Sequence, residues 1–385
     1  MIAFTAQSLC TPTSMIGDPV MVVEDGIISR VEARNAASLP PNLKPTNFAD
    51  CIIAPGFIDI HVHGSAGFDV MQVDQSRRSG FERFLAQHGV TAYCPTTIAA
   101  PLEATLAALE RLADAIEGIQ ANGAGGARPL GIHLEGPFLS HAKRGVHKAE
   151  DLIVPNLLTF EQLWQAARGH VRVLTIAPEL DGAPEVITEA ARRGVTVSLG
   201  HSDADLESAR RGVEAGARHA THTFNAMRPL DHRDPGILAE VLTNERLTAD
   251  VIADGFHVAP SVIDLLMKAK KPENVVLITD AMSAAGMPDG HYQLGLIDVE
   301  LKAGKCTVNG TLAGSALTLD RAVANVMKFA KLDLQQAVRA ASANPARVVR
   351  AKGKGALEPG ADADFVALTP DGSVRATVIK GEVLE

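Results

Sequence analysis

The sequence predicts an α/β fold, namely a (β/α)8 TIM-like barrel with a small β-sandwich domain built from both termini. Short apolar runs recur through the middle of the chain, each ends in polar residues, and each is followed by a stretch with helical periodicity. We count eight such strand–helix units in this pattern. A barrel of this kind takes about 250 residues, so a chain of 385 residues also has room for a smaller second domain.

The polar ends of the predicted strands are where we expect the chemistry of the protein. In barrels of this class the loops converge at the carboxyl ends of the strands, and the strand backbone holds side chains there rigidly. Several strands finish on a histidine or an acid, which are metal-ligand types. The predicted ends lie near Ile60-His61, Pro95-Thr96, Leu134-Glu135, Ala177-Pro178, Gly200-His201, His222-Thr223, Ala253-Asp254 and Thr279-Asp280.

Helices that cover the barrel are predicted between these strands, and several of them close on a glycine, as a C-cap does. The segment from Asn122 to Ala127, rich in glycine and alanine, is predicted to be a loop before the third strand. The predicted helices run from Ser79 to His88, from Leu102 to Ala121, from Phe160 to Gly169, from Ala183 to Arg193 and from Asp205 to Gly216.

Both ends of the chain have a different pattern, of short β-rich pieces joined by turns. Val20–Val23 and Ile27–Val31 flank an Asp25-Gly26 turn, which is a strong hairpin signal. Gly360–Leu368 and Val378–Gly381 are again typical of short strands. We therefore assign residues 1–51 and 353–385 to the small β domain and residues 52–352 to the barrel.

The composition excludes several classes of function. A net charge of −9 gives no electrostatic footprint for nucleic acid or an anionic membrane, so an anionic ligand must be held by local groups. The four cysteines are widely spaced and form no CxxC pair, which argues against a disulfide framework and a thiolate zinc site. Because we find no signal peptide and no long apolar run, we expect a cytoplasmic protein.

Three residues on the first and third predicted strands have the pattern of a metal site. His61 and His63 are two residues apart on a strand, so both imidazoles point to the same side, where they can share a cation. Glu135 ends an apolar strand before a Gly-Pro break, and a cation would compensate the burial of its carboxylate. The alternative for the histidine pair is two surface residues at a strand end.

The later strands add two histidines and an aspartate. His201 and His222 end the fifth and sixth predicted strands; each alone is more often a hydrogen-bonding core residue, but four histidines in register with Glu135 favour a metal centre. Asp280 closes the eighth strand, where a carboxylate beside a metal can accept a proton and return it. The alternative role of Asp280 is a helix N-cap, and the two roles are not exclusive.

In combination these positions resemble the amidohydrolase superfamily, and more narrowly its deacetylases of N-acetylated amino-sugar 6-phosphates. The similar segments span the whole predicted barrel and are specific in combination. They are Pro55 to Gly64, His133 to Phe138, Leu199 to Ser202, Thr223 to Met227, Ala253 to His257 and Thr279 to Ala281.

The resemblance implies hydrolysis of the acetamide of N-acetyl-D-glucosamine 6-phosphate, giving D-glucosamine 6-phosphate and acetate, with an essential divalent metal. It places the metal ligands at Glu135, His201 and His222. It places the catalytic acid and base at Asp280, and the group that polarises the acetyl carbonyl at His147.

For the phosphate of the substrate, the resemblance implies the backbone amides of Asn225 and Ala226 together with Arg233 and His257, with Lys143 as an addition. It also implies a homodimer in which the partner subunit completes the phosphate site. From the sequence alone, Arg233 would be a solvated loop charge.

Two further expectations concern the metals and the substrate cover. Relatives differ at the first-strand pair, and because His61 and His63 are intact here, we predict a second cation between them and Glu135. We expect zinc, with Fe2+, Mn2+ and Co2+ as alternatives. The segments 286–290 and 310–314 flank an excursion that would cover the substrate, with Leu312 as an apolar contact; a surface hairpin is the alternative.

Three other functions stay open from the sequence. N-acetylgalactosamine 6-phosphate or another N-acylated substrate is the nearest, because barrel loops change specificity without touching the ligands. Opening of a cyclic amide is less consistent with the Glu135 motif and with Asn225-Ala226-Met227. A non-catalytic barrel that binds a sugar phosphate or a metal is the third, and the intact ligands with Asp280 argue against it.

Overall fold

The computed structural model describes residues 1–11, 14–34, 43–118 and 125–384. The end of the predicted second helix, from residue 119 to Ala121, and the first half of the predicted loop Asn122 to Ala127 lie outside these residues. The chain starts with five strands, β1 (Ile2–Cys10), β2 (Met15–Gly17), β3 (Pro19–Glu24), β4 (Ile27–Ala33) and β5 (Thr46–Pro55).

The first hairpin is confirmed between β3 and β4. Glu24 pairs with Ile27 in antiparallel register, and the two turn residues Asp25 and Gly26 both have positive φ, of 51° and 76°. A two-residue turn with positive φ at both positions matches the twist of the strands that it joins. The Asp25-Gly26 signal therefore identified both the place and the geometry of this turn.

Eight parallel strands form the barrel, in chain order around it. They end within about two residues of the predicted positions, so the predicted barrel is confirmed. The strands of this region, including three short ones beside the barrel, are β6 (Phe57–Val62), β7 (Gly64–Ser65), β8 (Phe68–Asp69), β9 (Val90–Thr97), β10 (Arg128–Pro129), β11 (Ile132–Glu135), β12 (Val171–Ile176), β13 (Thr196–Leu199), β14 (His219–Ala220), β15 (Thr248–Ile252) and β16 (Val275–Ile278).

Helices alternate with the barrel strands and bury one face against them. The third begins at Leu157 and not at Phe160 as predicted, because Asn156 caps it by accepting a hydrogen bond from the amide of Thr159. The helices up to β16 are α1 (Arg78–Gln87), α2 (Leu102–Gly118), α3 (Leu157–Ala166), α4 (Ala183–Arg192), α5 (Leu206–Ala215), α6 (Gly236–Thr243) and α7 (Pro260–Lys270).

The barrel closes through residues at the ends of β6 and β16. The amide of Asp280 donates to the carbonyl of His61 at 2.9 Å, and the amide of His63 donates to the carbonyl of Ala281 at 2.8 Å. Below them the buried carboxylate of Asp59 accepts from the hydroxyl of Thr279 at 2.5 Å. Closure therefore puts the first and eighth strand ends side by side.

An antiparallel excursion follows β16, as the flanking glycines predicted. Its first three strands share a buried apolar cluster with Ile98 and Met282 at the mouth of the barrel, and the fourth strand pairs with the third. The remaining elements are β17 (Gly290–Leu294), β18 (Ile297–Lys302), β19 (Lys305–Val308), β20 (Thr311–Leu312), α8 (Leu319–Ala330), α9 (Leu334–Ala341), α10 (Ala343–Val348), β21 (Phe365–Leu368), β22 (Val374–Ile379) and β23 (Glu382–Leu384).

Strands from both termini form one separate sheet of eight strands, which confirms that the two ends of the chain build one unit. β5 lies inside this sheet, parallel to β1 on one side and antiparallel to β21 on the other. Phe4, Ile53 and Phe365 belong to its buried cluster. The division of the chain at residues 52 and 353 remains a prediction, and the sheet itself extends to Pro55.

Two expectations from composition concern the helices and the thiols. In the described parts of the chain, no helix combines the length and the apolar character that crossing a bilayer requires. Cys10, Cys51, Cys94 and Cys306 are all buried free thiols, as expected.

Candidate active site

A cavity of about 540 Å³ opens at the carboxyl ends of the barrel strands. It brings together most of the predicted site residues. The excursion contributes one wall, through Leu294, Ile297 and Leu312. The predicted residues that line the cavity are His63, Glu135, Lys143, His147, His201, His222, Asn225, Ala226, His257, Asp280 and Leu312.

Glu135 lies at the centre of the histidine cluster. Its Oε1 is 3.0 Å from Nε2 of His222, 3.2 Å from Nε2 of His201 and 3.4 Å from Nε2 of His61. Its Oε2 is 3.4 Å from Nε2 of His63. The carboxylate at the end of β11 thus faces the imidazoles of three other strands, as the sequence predicted.

The hydrogen bonds behind two of these rings fix their tautomers. Nδ1–H of His201 donates to the carbonyl of Lys143 at 2.9 Å, and Nδ1–H of His63 donates to the carbonyl of Thr96 at 3.0 Å. With Nδ1–H fixed in this way, Nε2 of each ring faces Glu135, and its lone pair is available to a cation when no proton occupies it. Lone pairs that face a carboxylate at this distance require a shared positive charge, and carbonyl-supported histidines are usual metal ligands.

Asp280 extends the cluster on the side of the first strand. Its Oδ1 is 3.1 Å from Nε2 of His63 and 3.5 Å from Nε2 of His61. The segment after Asp280 is irregular and leads to β17, so the residue does not begin a helix, and the N-cap alternative does not apply.

The ionisation of the two carboxylates follows from their neighbours. Burial raises the pKa of Asp280, but His61 and His63 outweigh it and lower that pKa to about 2. Burial also opposes ionisation of Glu135, yet the surrounding histidines hold its pKa well below the usual value. Burial lowers the pKa of His63, but hydrogen bonds to Asp280 and Glu135 raise it to about 10. Two buried carboxylates therefore attract positive charge to this point.

The donor set fits a divalent metal. Two groups have their ligand atoms within 4.8 Å of one another, namely His61, His63 and Asp280 in one, and Glu135, His147 and His201 in the other. Imidazole nitrogen with carboxylate oxygen is a donor set that zinc, iron, cobalt and manganese accept. The chain can thus hold a divalent metal here.

His147 is oriented by the backbone. Its Nδ1 accepts a hydrogen bond from the amide of Ala99 at 3.1 Å, so Nδ1 carries no proton and Nε2–H is the donor. That Nε2 lies 3.6 Å from Oε2 of Glu135, inside the cavity. The ring is therefore a neutral hydrogen-bond donor toward whatever occupies the cavity.

A second region of the cavity offers donors for an anion. Nδ1–H of His257 donates to the carboxylate of Asp254 at 2.7 Å, and this carboxylate also accepts the amides of Phe256 and His257 at 2.8 Å. Asn225 and Ala226 line the same cavity. Lys143 lines it as well, with Nζ 3.6 Å from Oδ1 of Asp203.

Two predicted residues lie apart from the cavity surface. His61 is fully buried beneath it, where it still contacts Glu135. Arg233 lies on an exposed loop and is not part of the cavity lining of this single chain.

Sequence reasoning assigned no role to Ala99, Asp250 or Asp254. Asp254 stands in a segment that carried the resemblance, and Asp250 is an acid between two apolar residues of a strand, which is a usable signal. The backbone amide of Ala99 has no sequence signal at all.

The match to known families covers the whole barrel. The model that describes the amidohydrolase family matches residues 52–384. The chain belongs to the amidohydrolase family. Membership in this family makes the protein a hydrolytic enzyme, as we predicted.

Relatives within the amidohydrolase family are deacetylases of amino-sugar phosphates. The chain is 40% identical over 348 residues to N-acetylglucosamine-6-phosphate deacetylase of Bos taurus, covering 87% of this chain and 83% of that protein. It is 36% identical to N-acetylgalactosamine-6-phosphate deacetylase of Escherichia coli O157:H7, covering 98% of both.

A solved structure gives the same result for the fold. A variant of N-acetyl-D-glucosamine-6-phosphate deacetylase from Mycobacterium smegmatis, in complex with N-acetyl-D-glucosamine-6-phosphate, superimposes with a TM-score of 0.92 at 33% identity. The match covers 99% of this chain and 98% of that one.

Proposed function

We propose that this amidohydrolase converts N-acetyl-D-glucosamine 6-phosphate and water to D-glucosamine 6-phosphate and acetate, in amino-sugar catabolism and recycling. The observation that carries the proposal is one cavity that contains a histidine–carboxylate cluster and, in addition, the anion donors His257, Asn225 and Ala226. The cluster suits amide hydrolysis, and the donors suit a phosphate. The relatives support the same substrate class.

Glu135, His201 and His222 would hold the essential divalent metal, for which we expect zinc. His61 and His63, with Glu135, would hold a second cation. A divalent cation there supplies Lewis acidity, which stabilises negative charge that develops on oxygen.

Asp280 then transfers the proton, and His147 donates a hydrogen bond. Asp280 is ionised, so it accepts a proton from the attacking water and hands it to the nitrogen of the departing amine. His147 donates its Nε2–H to the acetamide oxygen, where negative charge grows as the carbonyl becomes tetrahedral. The C–N bond breaks as the amine takes the proton, which leaves acetate.

The phosphate would bind at the far end of the cavity. His257 and the amide of Ala226 provide donors, and the amide of Asn225 would share its N–H between the phosphate and the carbonyl of His222. Lys143 adds a charge, and Leu312 contacts the sugar. Because Arg233 lies outside the cavity of its own chain, we propose a homodimer in which Arg233 of the partner subunit reaches the phosphate. A location in the cytoplasm, where sugar phosphates are made, is part of the same proposal.

The second candidate substrate is N-acetylgalactosamine 6-phosphate. The Escherichia coli relative named for it is similar along 98% of the chain, so the overall match favours neither epimer. The two sugars differ at one hydroxyl, and barrel loops change such a preference without altering the cluster.

Acetate release from purified protein tests the proposal. N-acetyl-D-glucosamine 6-phosphate is compared with its galacto epimer and with the unphosphorylated sugar, before chelation, after chelation and after zinc return. We expect rapid, chelator-sensitive release from the phosphorylated gluco sugar. Faster release from the galacto epimer would favour the second candidate, and release from none of them would refute this substrate class.

A further inference from the structure

Asp250 is a fully buried acid on β15 that neither lines the cavity nor belongs to the histidine cluster. A carboxylate without exposure needs hydrogen-bond donors to offset its lost hydration. The residues on either side of it, Ala249 and Val251, are apolar and supply no side-chain donor.

The donors come from β14 and the segment after it. One carboxylate oxygen of Asp250 accepts the backbone amide of His222, and the other accepts Nε2–H of His219 at 3.1 Å. The backbone carbonyl of Asp250 accepts the amide of Thr223 at 3.0 Å. Nδ1 of His219 is held in turn by the hydroxyl of Thr248 at 2.7 Å. One residue thus fixes two consecutive amides and a side chain of the neighbouring strand.

The segment that Asp250 holds has an unfavourable backbone conformation. His222, Phe224 and Ala226 have positive φ of 29°, 81° and 49°, and none of them is glycine. Such residues cost free energy and persist only where the surroundings over-determine them. A charge-assisted hydrogen bond to the amide of His222 supplies that restraint at the first of the three.

The same segment carries two parts of the site. His222 directs Nε2 at Glu135, while Asn225 and Ala226 line the cavity where we place the phosphate. The amide and the side chain of Asn225 both donate to the carbonyl of His222, at 2.9 Å and 3.2 Å. A shift of His222 therefore moves Asn225 with it.

We propose that Asp250 is a positioning residue that sets the metal affinity of His222 and the placement of the Asn225 and Ala226 amides together. The inference rests on the proposed function, because it takes His222 as a ligand and the two amides as phosphate donors. Its loss weakens metal and phosphate binding through one backbone segment, without removing any group that contacts either ligand.

Two variants separate the charge of Asp250 from its hydrogen bonds. Asp250→Asn keeps the shape, and His219 can change tautomer to accept from the new amide, so only the charge assistance is lost. Asp250→Ala removes both acceptors. Asp364→Asn is the matched control, since Asp364 is also a buried acid that accepts a backbone amide, that of Lys380 at 2.8 Å, but it lies in the terminal sheet region.

The first measurement is zinc affinity, by competition with a chromophoric chelator, with hydrogen–deuterium exchange of the peptide that covers residues 221–227. We expect about 10- to 100-fold weaker zinc binding for Asp250→Ala, the range seen for groups that orient ligands. Asp250→Asn should lie between this variant and the parent. Exchange of the peptide should rise in the same order, and Asp364→Asn should match the parent in both measurements.

Unchanged zinc affinity and exchange in a folded Asp250→Ala variant would overturn the inference. If that variant does not fold, Asp250→Asn and His219→Gln decide it by the same measurements, and parental values in both would refute it. Neither measurement needs a substrate. A parent that binds zinc but releases no acetate would refute the proposed function and leave standing the part of this inference that concerns metal affinity and the backbone segment.

Steady-state kinetics test the effect of Asp250 on binding of the substrate phosphate. With zinc saturating, Asp250→Asn should raise KM for the phosphorylated sugar severalfold more than it lowers kcat. A merely structural defect would instead lower the active fraction and leave KM unchanged, which would count against the coupling.

Discussion

A backbone amide, and not another side chain, determines which ring nitrogen of His147 carries the proton. Because the amide of Ala99 donates to Nδ1, the ring offers Nε2–H in its neutral form. The orientation of His147 thus depends on Ala99, whose side chain has no reactive group.

This orientation leads to a prediction for His147. We expect His147→Ala to lower kcat by about 100- to 1000-fold, the usual cost of one lost donor to a developing oxyanion. His147→Gln should retain more activity, since an amide N–H can donate toward the same place. Equal losses in the two variants, measured at saturating zinc and substrate, would contradict the donor role.

The role of Asp280 leads to a second prediction. Asp280→Asn removes the only proton acceptor of the proposed reaction but keeps the side-chain volume, so kcat should fall by at least about 100-fold. Zinc content and melting temperature should stay near those of the parent. Asp264→Asn, which changes a half-buried acid paired with Lys268 on α7, is the control. Near-normal turnover by Asp280→Asn would sink the assignment.

Asp254 gives a third prediction, on substrate binding. Its carboxylate accepts Nδ1–H of His257 and so fixes the orientation of the ring in the cavity. With Asp254→Asn the orientation persists and the charge assistance is lost, so KM for the phosphorylated sugar should rise about tenfold, close to 1.4 kcal/mol. The unphosphorylated sugar is the internal control, and an equal rise for both sugars would contradict this role.

Among the secondary-structure elements, the barrel strands were predictable because each is a short apolar run that ends on a polar residue. The start of α3 was misplaced at Phe160 because Leu157 and Leu158 are exposed, so the large buried apolar side chains begin only at Phe160, inside the helix that Asn156 caps. Helices α6 to α10 were not assigned from periodicity. The cluster of Glu135 was predictable from strand ends, whereas Asp250 required knowledge of which strand lies beside β14.

The excursion of β17 to β20 supports a prediction for Leu312. This side chain is half-buried on β20 and forms part of the cavity wall. Leu312→Ala removes part of an apolar contact worth about 1 kcal/mol, so KM for the sugar phosphate should rise about fivefold. Leu296→Ala, in the exposed turn between β17 and β18, should leave KM unchanged. Equal KM values in both variants would argue for a surface hairpin without contact to substrate.

The stability of the whole molecule should depend on the ionisation of Lys270. Burial lowers the pKa of this lysine from 10.5 to about 8 in the folded chain. Between these values the unfolded chain binds more protons than the folded chain, so this group makes the unfolding free energy rise with pH. Below about pH 8 the lysine is charged in both states and contributes no slope.

Lys270→Met tests this contribution. The difference in unfolding free energy between parent and variant should shift in favour of the parent as pH rises from 8 to 10.5, measured by denaturant titration. Lys268→Met, an exposed lysine on the same helix, should run parallel to the parent. Parallel curves for Lys270→Met would show that burial does not shift this lysine.

The position of β5 has a consequence for how the chain is made on the ribosome. One neighbour of β5, β1, is synthesised before it, but the other, β21, follows about 310 residues later. At about 5 to 20 residues per second, this edge stays open for roughly 15 to 60 seconds. Ile52, Ile53 and Ala54 lie on it, and an apolar unpaired edge readily joins another chain. The nascent terminal sheet therefore exposes a strand edge to association with other chains until the barrel has been translated.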